Sequence, residues 1–187
     1  MLRNGWVGFI MVATLTLVSV VRAGTFERLD CNFEDSSQIS MPTYNFDYAT
    51  QTLAMSESML LIGEHAINMS GLTVGDPIFD VTISVQNTTG YAWTGYQLSL
   101  LGTGVQFDYT KTPNSNIFLS TNQQPLVLTY LAPNSVLSGQ TVMLDFAINV
   151  ASSGLFSFTL QQSPIPEPLT LSLFGLGSLL LIRKREK

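Results

Sequence analysis

Cysteine and histidine are almost absent from this chain, with Cys31 and His65 the only ones among 187 residues. A single cysteine forms no intramolecular disulfide, so Cys31 reads as a free thiol. One histidine without a cysteine cluster builds no zinc site or Cys-His pair, so no metal or cofactor is expected and the fold must stand on packing. Charge is scarce as well, at 11% of residues. Between residues 24 and 163 only Arg28 and Lys111 are basic, against eleven acids. That deficit argues against nucleic acid or anionic lipid as a partner of the segment, because phosphate recognition depends on Lys and Arg releasing counterions. Phosphate-loop and nucleophile-elbow motifs are also missing, and Gly71-Leu72-Thr73-Val74-Gly75 has neither the lysine nor the spacing of the former.

Apolar residues are plentiful, at 45%, and the mean hydropathy of +0.28 is high for a domain of this size. The excess sits at the two ends. At the amino end Arg3 precedes an uncharged stretch over 6–21, and Val21-Arg22-Ala23 resembles a small-x-small signal-peptidase site. Cleavage is expected between Ala23 and Gly24, with residues 1–23 as a signal peptide removed by signal peptidase. Sixteen residues of helix reach about 24 Å, short of a hydrocarbon core of roughly 30 Å, which favours a cleaved signal over a permanent span.

At the carboxyl end three parts follow in order. Pro164, Pro166 and Pro168 lack amide donors and bias their predecessors toward extended backbone, so residues 164–168 read as an accessible neck. An uncharged run over 169–182 comes next, with its bulk from Leu169, Leu171, Leu173, Phe174, Leu176, Leu179, Leu180, Leu181 and Ile182. Its fourteen residues make about 21 Å of helix, suited to a transient or processed span. Arg183, Lys184, Arg185 and Lys187 then form a basic stop that favours a cytoplasmic carboxyl end, which leaves the middle of the chain outside. Both ends agree on topology.

Pro166-Glu167-Pro168, the Leu-rich run with Gly175 and Gly177, and the terminal Arg-Lys-Arg resemble the PEP-CTERM sorting signal. The resemblance implies export through the Sec translocon of a Gram-negative bacterium that makes exopolysaccharide. It also implies an inner-membrane intermediate, processing by an exosortase-type membrane protease, and delivery to the cell surface or extracellular matrix. Pro166, Glu167 and Pro168 are then recognition residues of a substrate, not catalytic groups.

Residues 24–163 alternate short apolar and polar stretches between turn residues, the period of half-buried strands. Val142, Leu144, Phe146, Ile148 and Val150 place five apolar residues on one face, and Ser152-Ser153-Gly154 leads the chain onward to 155–160. Val81-Thr82-Ile83-Ser84-Val85 runs through Asn87-Thr88-Thr89-Gly90 into 91–101, a hairpin candidate. Residues 53–68 give no firm strand or helix signal. The expectation is an all-β chain with a single immunoglobulin-like or jelly-roll-like β-sandwich over 24–163. An N-terminal signal helix and a short C-terminal transmembrane helix flank it. The Asn-Thr-Thr-Gly-Tyr-Ala-Trp-Thr-Gly-Tyr stretch, and Leu131-Ala132-Pro133 ahead of an alternating strand, are similar to β-sandwich cargo domains found before this sorting tail.

Chemistry in the middle is thin. Asp76 with Asp80 or Asp145 would be the acids of a glycosidase, and no calcium loop accompanies them. Trp93 and Tyr91 are the candidates for stacking on a sugar, against the simpler reading of a core tryptophan; on a regular strand 91, 93 and 95 share a face and Tyr96 points away. The expected function is that of an exported, exosortase-processed surface or matrix protein, non-catalytic and associated with exopolysaccharide. A permanently anchored envelope protein and a carbohydrate-active enzyme are the alternatives.

Overall fold

The computed structural model describes residues 24–34, 38–151 and 153–168. The signal segment with Val21 and Ala23, the apolar run 169–182 and the basic end 183–187 lie outside the described residues.

Twelve strands carry the fold, and no helix occurs among the described residues. They are β1 (Thr25–Phe33), β2 (Ile39–Asp47), β3 (Thr52–Met59), β4 (His65–Val74), β5 (Ile78–Asn87), β6 (Trp93–Leu101), β7 (Val105–Phe107), β8 (Asn114–Ser115), β9 (Ser120–Gln124), β10 (Val127–Val136), β11 (Thr141–Val150) and β12 (Gly154–Pro166). One sheet has the order β1-β4-β12-β6-β10-β9; the other has β2-β3-β5-β11-β7, with β8 also on β11. Together they form a two-layer β-sandwich, the class expected from the alternation.

Inward rows from both sheets fill the space between them. Phe79, Val81, Ile83 and Val85 of β5 and Val142, Leu144, Phe146 and Ile148 of β11 meet Ile67, Met69, Leu98, Leu100, Leu128 and Leu160 of the other sheet, all buried. Each such side chain contributes roughly 1.5–3 kcal/mol on burial, which is what holds a sandwich without disulfides. The alternation over 142–150 therefore marked its buried face correctly.

Residues 53–68 hold all of β3 but its first residue, a loop, and the start of β4, with the two strands in opposite sheets. Because the chain visits β4 in the far sheet between them, β3 and β5 come back in the same direction and pair in parallel. All other neighbouring pairs are antiparallel.

The hairpin expected over 81–101 is not one. β5 pairs with β3 and β11, whereas β6 pairs with β10 and β12 in the opposite sheet. The segment between them is an arch across the sandwich. Its turn residues do not close a tight hairpin, and the buried Asn87 carboxamide holds the crossing in place. Asn87 Nδ2 donates to the carbonyls of Tyr91 and Val136, both at 2.9 Å, while Oδ1 accepts from Thr89 N at 3.0 Å and Thr89 Oγ1 at 2.7 Å. All four valences of the amide are used, which ties β5 to the end of β10.

The final strand passes Ser163 and continues to Pro166, with Ser163 opposite Gln97, Pro164 opposite Tyr96 and Ile165 opposite Gly95. Pro164 and Pro166 are thus held in a sheet, and the extended backbone that proline favours serves as strand here instead of free neck.

Candidate functional site

Strand register places the β1–β2, β3–β4, β5–β6 and β10–β11 connections, and the end of β12, at one end of the sandwich. There β4 begins beside the end of β12, β6 begins beside the last residues of β12 and β10, and β2, β3, β5 and β11 meet at Ile39, Met59, Asn87 and Thr141. The chain leaves this end. Glu167 N donates to the Ala92 carbonyl at 3.0 Å, and Glu167 Oε1 accepts from Ser135 Oγ at 2.7 Å. Of the sorting residues, Pro166 is therefore in β12, while Glu167 and Pro168 are exposed at the rim just past it. Gly24 lies at the opposite end, buried against the backbone of Val74, so the two termini of the domain are a strand length apart.

Just inside the exit end is a polar cluster that sequence reading missed. The inward row of β3 runs Leu53, Met55, Glu57, Met59, and the inward row of β4 starts with His65. His65 Nε2 lies 2.8 Å from Glu57 Oε1, with both side chains fully out of solvent. Gln162, opposite His65 in β12, accepts from Tyr96 Oη at 3.0 Å. Burial pushes the Glu57 carboxyl up to about 8, with nearby Gln162 offsetting part of the shift, and pushes His65 down to about 4. Burial thereby favours the neutral form of both groups across the 2.8 Å contact, with the imidazole tautomer setting which of them donates. Glu57 Oε2, His65 Nδ1 and Gln162 Nε2 make no hydrogen bond. Alternating burial of β3 was the signal available: Glu57 sits in phase with Leu53, Met55 and Met59, but without knowing the face a lone Glu reads as outward.

Chemically, Glu57 and His65 are the acid–base pair of the molecule, but neither touches solvent, so a substrate has no access to them in this conformation. Of the acids singled out from sequence, Asp76 is exposed in the turn between β4 and β5, and the other two have ordinary partners. Asp145 Oδ1 accepts from Thr82 Oγ1 at 2.7 Å, and Asp80 pairs with Lys111 at 3.3 Å. These sit on the outer face of the second sheet, opposite its inward apolar row. No group of three or more His, Cys, Asp or Glu able to hold a metal occurs among the described residues. Cys31, half-buried on β1, has its thiol pushed up to about 12, chiefly by burial and further by Asp30, which makes it a poor nucleophile.

Trp93 is fully buried and presents no face to a sugar. Its Nε1 donates to Thr89 Oγ1 at 3.2 Å, and its ring lies 5.8 Å from that of Tyr96. A bulge causes this. Gly95 is opposite Ile165 and Trp93 is opposite Pro166, so Thr94 is an extra residue and Trp93 and Tyr96 both turn inward, against the regular alternation expected from sequence. Glycine is required at the bulge, since a β-carbon on Gly95 would stand 2.7 Å from the Tyr130 carbonyl. Tyr91 is separated from Trp93 by this packing and remains exposed.

A shallow, open depression of about 430 Å³ is lined by Gln106, Phe107, Asp108, Tyr109, Thr110 and Pro125. Three of its polar side chains are engaged internally: Asp108 caps Thr110 through the amide at 2.9 Å and the hydroxyl at 3.0 Å, and Tyr109 Oη donates to the Gln124 carbonyl at 2.5 Å. Compared with known proteins, the chain matches no protein-family model and no curated protein.

Proposed function

We propose that this chain is an exported surface or extracellular-matrix protein, held briefly in the inner membrane by residues 169–182 and released by an exosortase-type protease. Its β-sandwich, of the immunoglobulin-like or jelly-roll-like kind, acts by presence and binding, in association with exopolysaccharide, and not by turnover. In this reading a signal helix over 1–23 and a short transmembrane helix over 169–182 flank the sandwich.

The observation that carries the reading is the order Pro166-Glu167-Pro168, uncharged run, basic residues 183–187, joined without spacer to the end of β12. The non-catalytic part is supported by the placement of the chemistry-bearing groups: the Glu57–His65 pair is out of solvent, and Asp145 and Asp80 are engaged by Thr82 and Lys111.

Intact mass of the protein recovered from the native cell surface or medium tests it. The expected species lacks residues 1–23 and the tail from near Pro168; a species that keeps 169–187 would make the tail an anchor and overturn the sorting reading. Glu167→Gln should fold normally, since Glu167 is exposed, and should accumulate with its tail attached.

A further inference from the structure

Fourteen large apolar side chains are exposed among the described residues, and only Leu60, Leu61 and Ile62 are consecutive. A run of three such residues on a loop tip is unusual in a surface that serves only solubility. The loop is also held in place. Leu60 N donates to the Gln38 carbonyl at 2.6 Å, the Met59 carbonyl accepts from Thr88 N at 3.0 Å, and the legs of the loop are joined through the buried contact between Glu57 and His65. Tyr91 and Leu137, 57% and 53% exposed, stand on the neighbouring connections of the same end.

This is the end from which the chain departs. Glu167 is fastened to Ala92, and the uncharged run begins at Leu169. Two residues of extended chain reach about 7 Å. A domain on so short a tether cannot stand away from whatever receives the run. Fourteen residues of helix are also shorter than a bilayer core by about 9 Å, which leaves no slack for the run to start above the interface.

We infer that Leu60, Leu61, Ile62, Tyr91 and Leu137 form a lipid-facing rim that seats the exit end of the sandwich on the bilayer interface while the tail is attached. Apolar residues with an aromatic ring at the interface are the chemistry such a seat requires, with burial of about 5–10 Å into the headgroup and acyl boundary. The adjoining charges, Glu34, Glu64 and Glu167, are acidic, so the contact depends on apolar insertion and not on attraction to anionic lipid. The inference rests on the reading of residues 169–182 as a membrane segment.

The test uses the full chain with Cys31→Ala in phosphatidylcholine vesicles carrying a nitroxide either near the headgroup, which reads positions 61 and 155, or deep on the acyl chain, which reads position 176. One fluorophore is attached in turn at Leu61→Cys, at Leu155→Cys on the far end, and at Leu176→Cys in the run. The expected result is strong quenching at position 176 and quenching at 61 about threefold greater than at 155. Quenching at 176 with 61 no different from 155 would overturn the rim and leave the membrane segment standing. No quenching at 176 would remove the membrane segment, and the rim with it. A probe at 61 that is shielded from water but not quenched by lipid would mean that another protein copy covers the rim, which also overturns it.

Discussion

The inward rows of β3 and β5 run side by side and in parallel, yet they do different work. Phe79, Val81, Ile83 and Val85 are uniformly apolar, while Leu53, Met55 and Met59 are interrupted by Glu57. Around β5 and β11 the core is non-directional, and its stability follows from the area removed from water. Towards the exit end Glu57, His65, Gln162, Asn87 and Thr89 are buried, and there the core depends on particular partners. A core of the first kind tolerates exchange of similar volumes; one of the second kind loses an entire network with one atom.

The largest effect should come from cutting into the apolar half. Phe146→Ala is expected to cost about 3–5 kcal/mol, read from the midpoint of urea unfolding, because the fully buried ring would leave a cavity between the sheets. Phe146→Leu should cost much less. If the two variants lost the same amount, this half would not be held by volume.

Asn87→Ala breaks the polar half and should cost about 2–4 kcal/mol, since the carbonyls of Tyr91 and Val136 both lose a donor in a buried setting. Asn87→Asp should cost nearly as much, because it removes the Nδ2 donor while keeping the acceptor. A neutral result for either would mean that the arch is set by its backbone alone.

The Glu57–His65 pair sharpens the contrast through pH. Folded, the pair keeps one proton between about pH 4 and about 8, whereas at their ordinary values of 4.5 and 6.5 the separated groups keep one only between those limits. Above 6.5 the unfolded chain holds fewer protons than the folded one, so stability falls as pH rises towards 8. Below 4.5 it holds more, so stability falls again as pH drops towards 4. The maximum from this pair should lie between about pH 4.5 and 6.5, with slopes of up to about 1.4 kcal/mol per pH unit outside it. Denaturation curves across this range check it. Glu57→Leu with His65→Leu should flatten both limbs and leave stability near neutral pH unchanged or higher, as replacement of a buried polar pair by apolar groups often does.

The smallest effect should come from Ser135→Ala. It removes an exposed hydrogen bond to Glu167 and should shift stability by less than about 0.5 kcal/mol. It should also free Glu167 at the rim, so tail removal in the native host should run no slower than in the unaltered protein.

Much of the strand content was legible because it depends on period alone. The alternation over 142–150 marks β11 and its buried face, and 81–85 marks the middle of β5. The pairing of β5 and β6 was not legible, since Asn87-Thr88-Thr89-Gly90 signals a reversal without saying whether the chain returns in its own sheet or crosses to the other. Trp93 was misplaced relative to Tyr96 because one extra residue at Thr94 inverts the alternation. The Glu57–His65 pair stayed hidden because the two residues belong to opposite sheets, and their separation of eight positions has no regular spatial meaning.

By itself the amino-acid sequence determined a β chain without an intramolecular disulfide, an acidic middle with almost no cations, and an uncharged run of distinct pattern near each end. These are local or additive properties, fixed by residue type and period. Only the tertiary structure decided which ends of strands meet, and with it the burial of the Glu57–His65 pair, the inward turn of Trp93, and the gathering of Leu60, Leu61, Ile62, Tyr91 and Leu137 around the exit of the chain. Each of these depends on sheet assignment and register between segments distant in sequence, and a single bulge or crossing changes both.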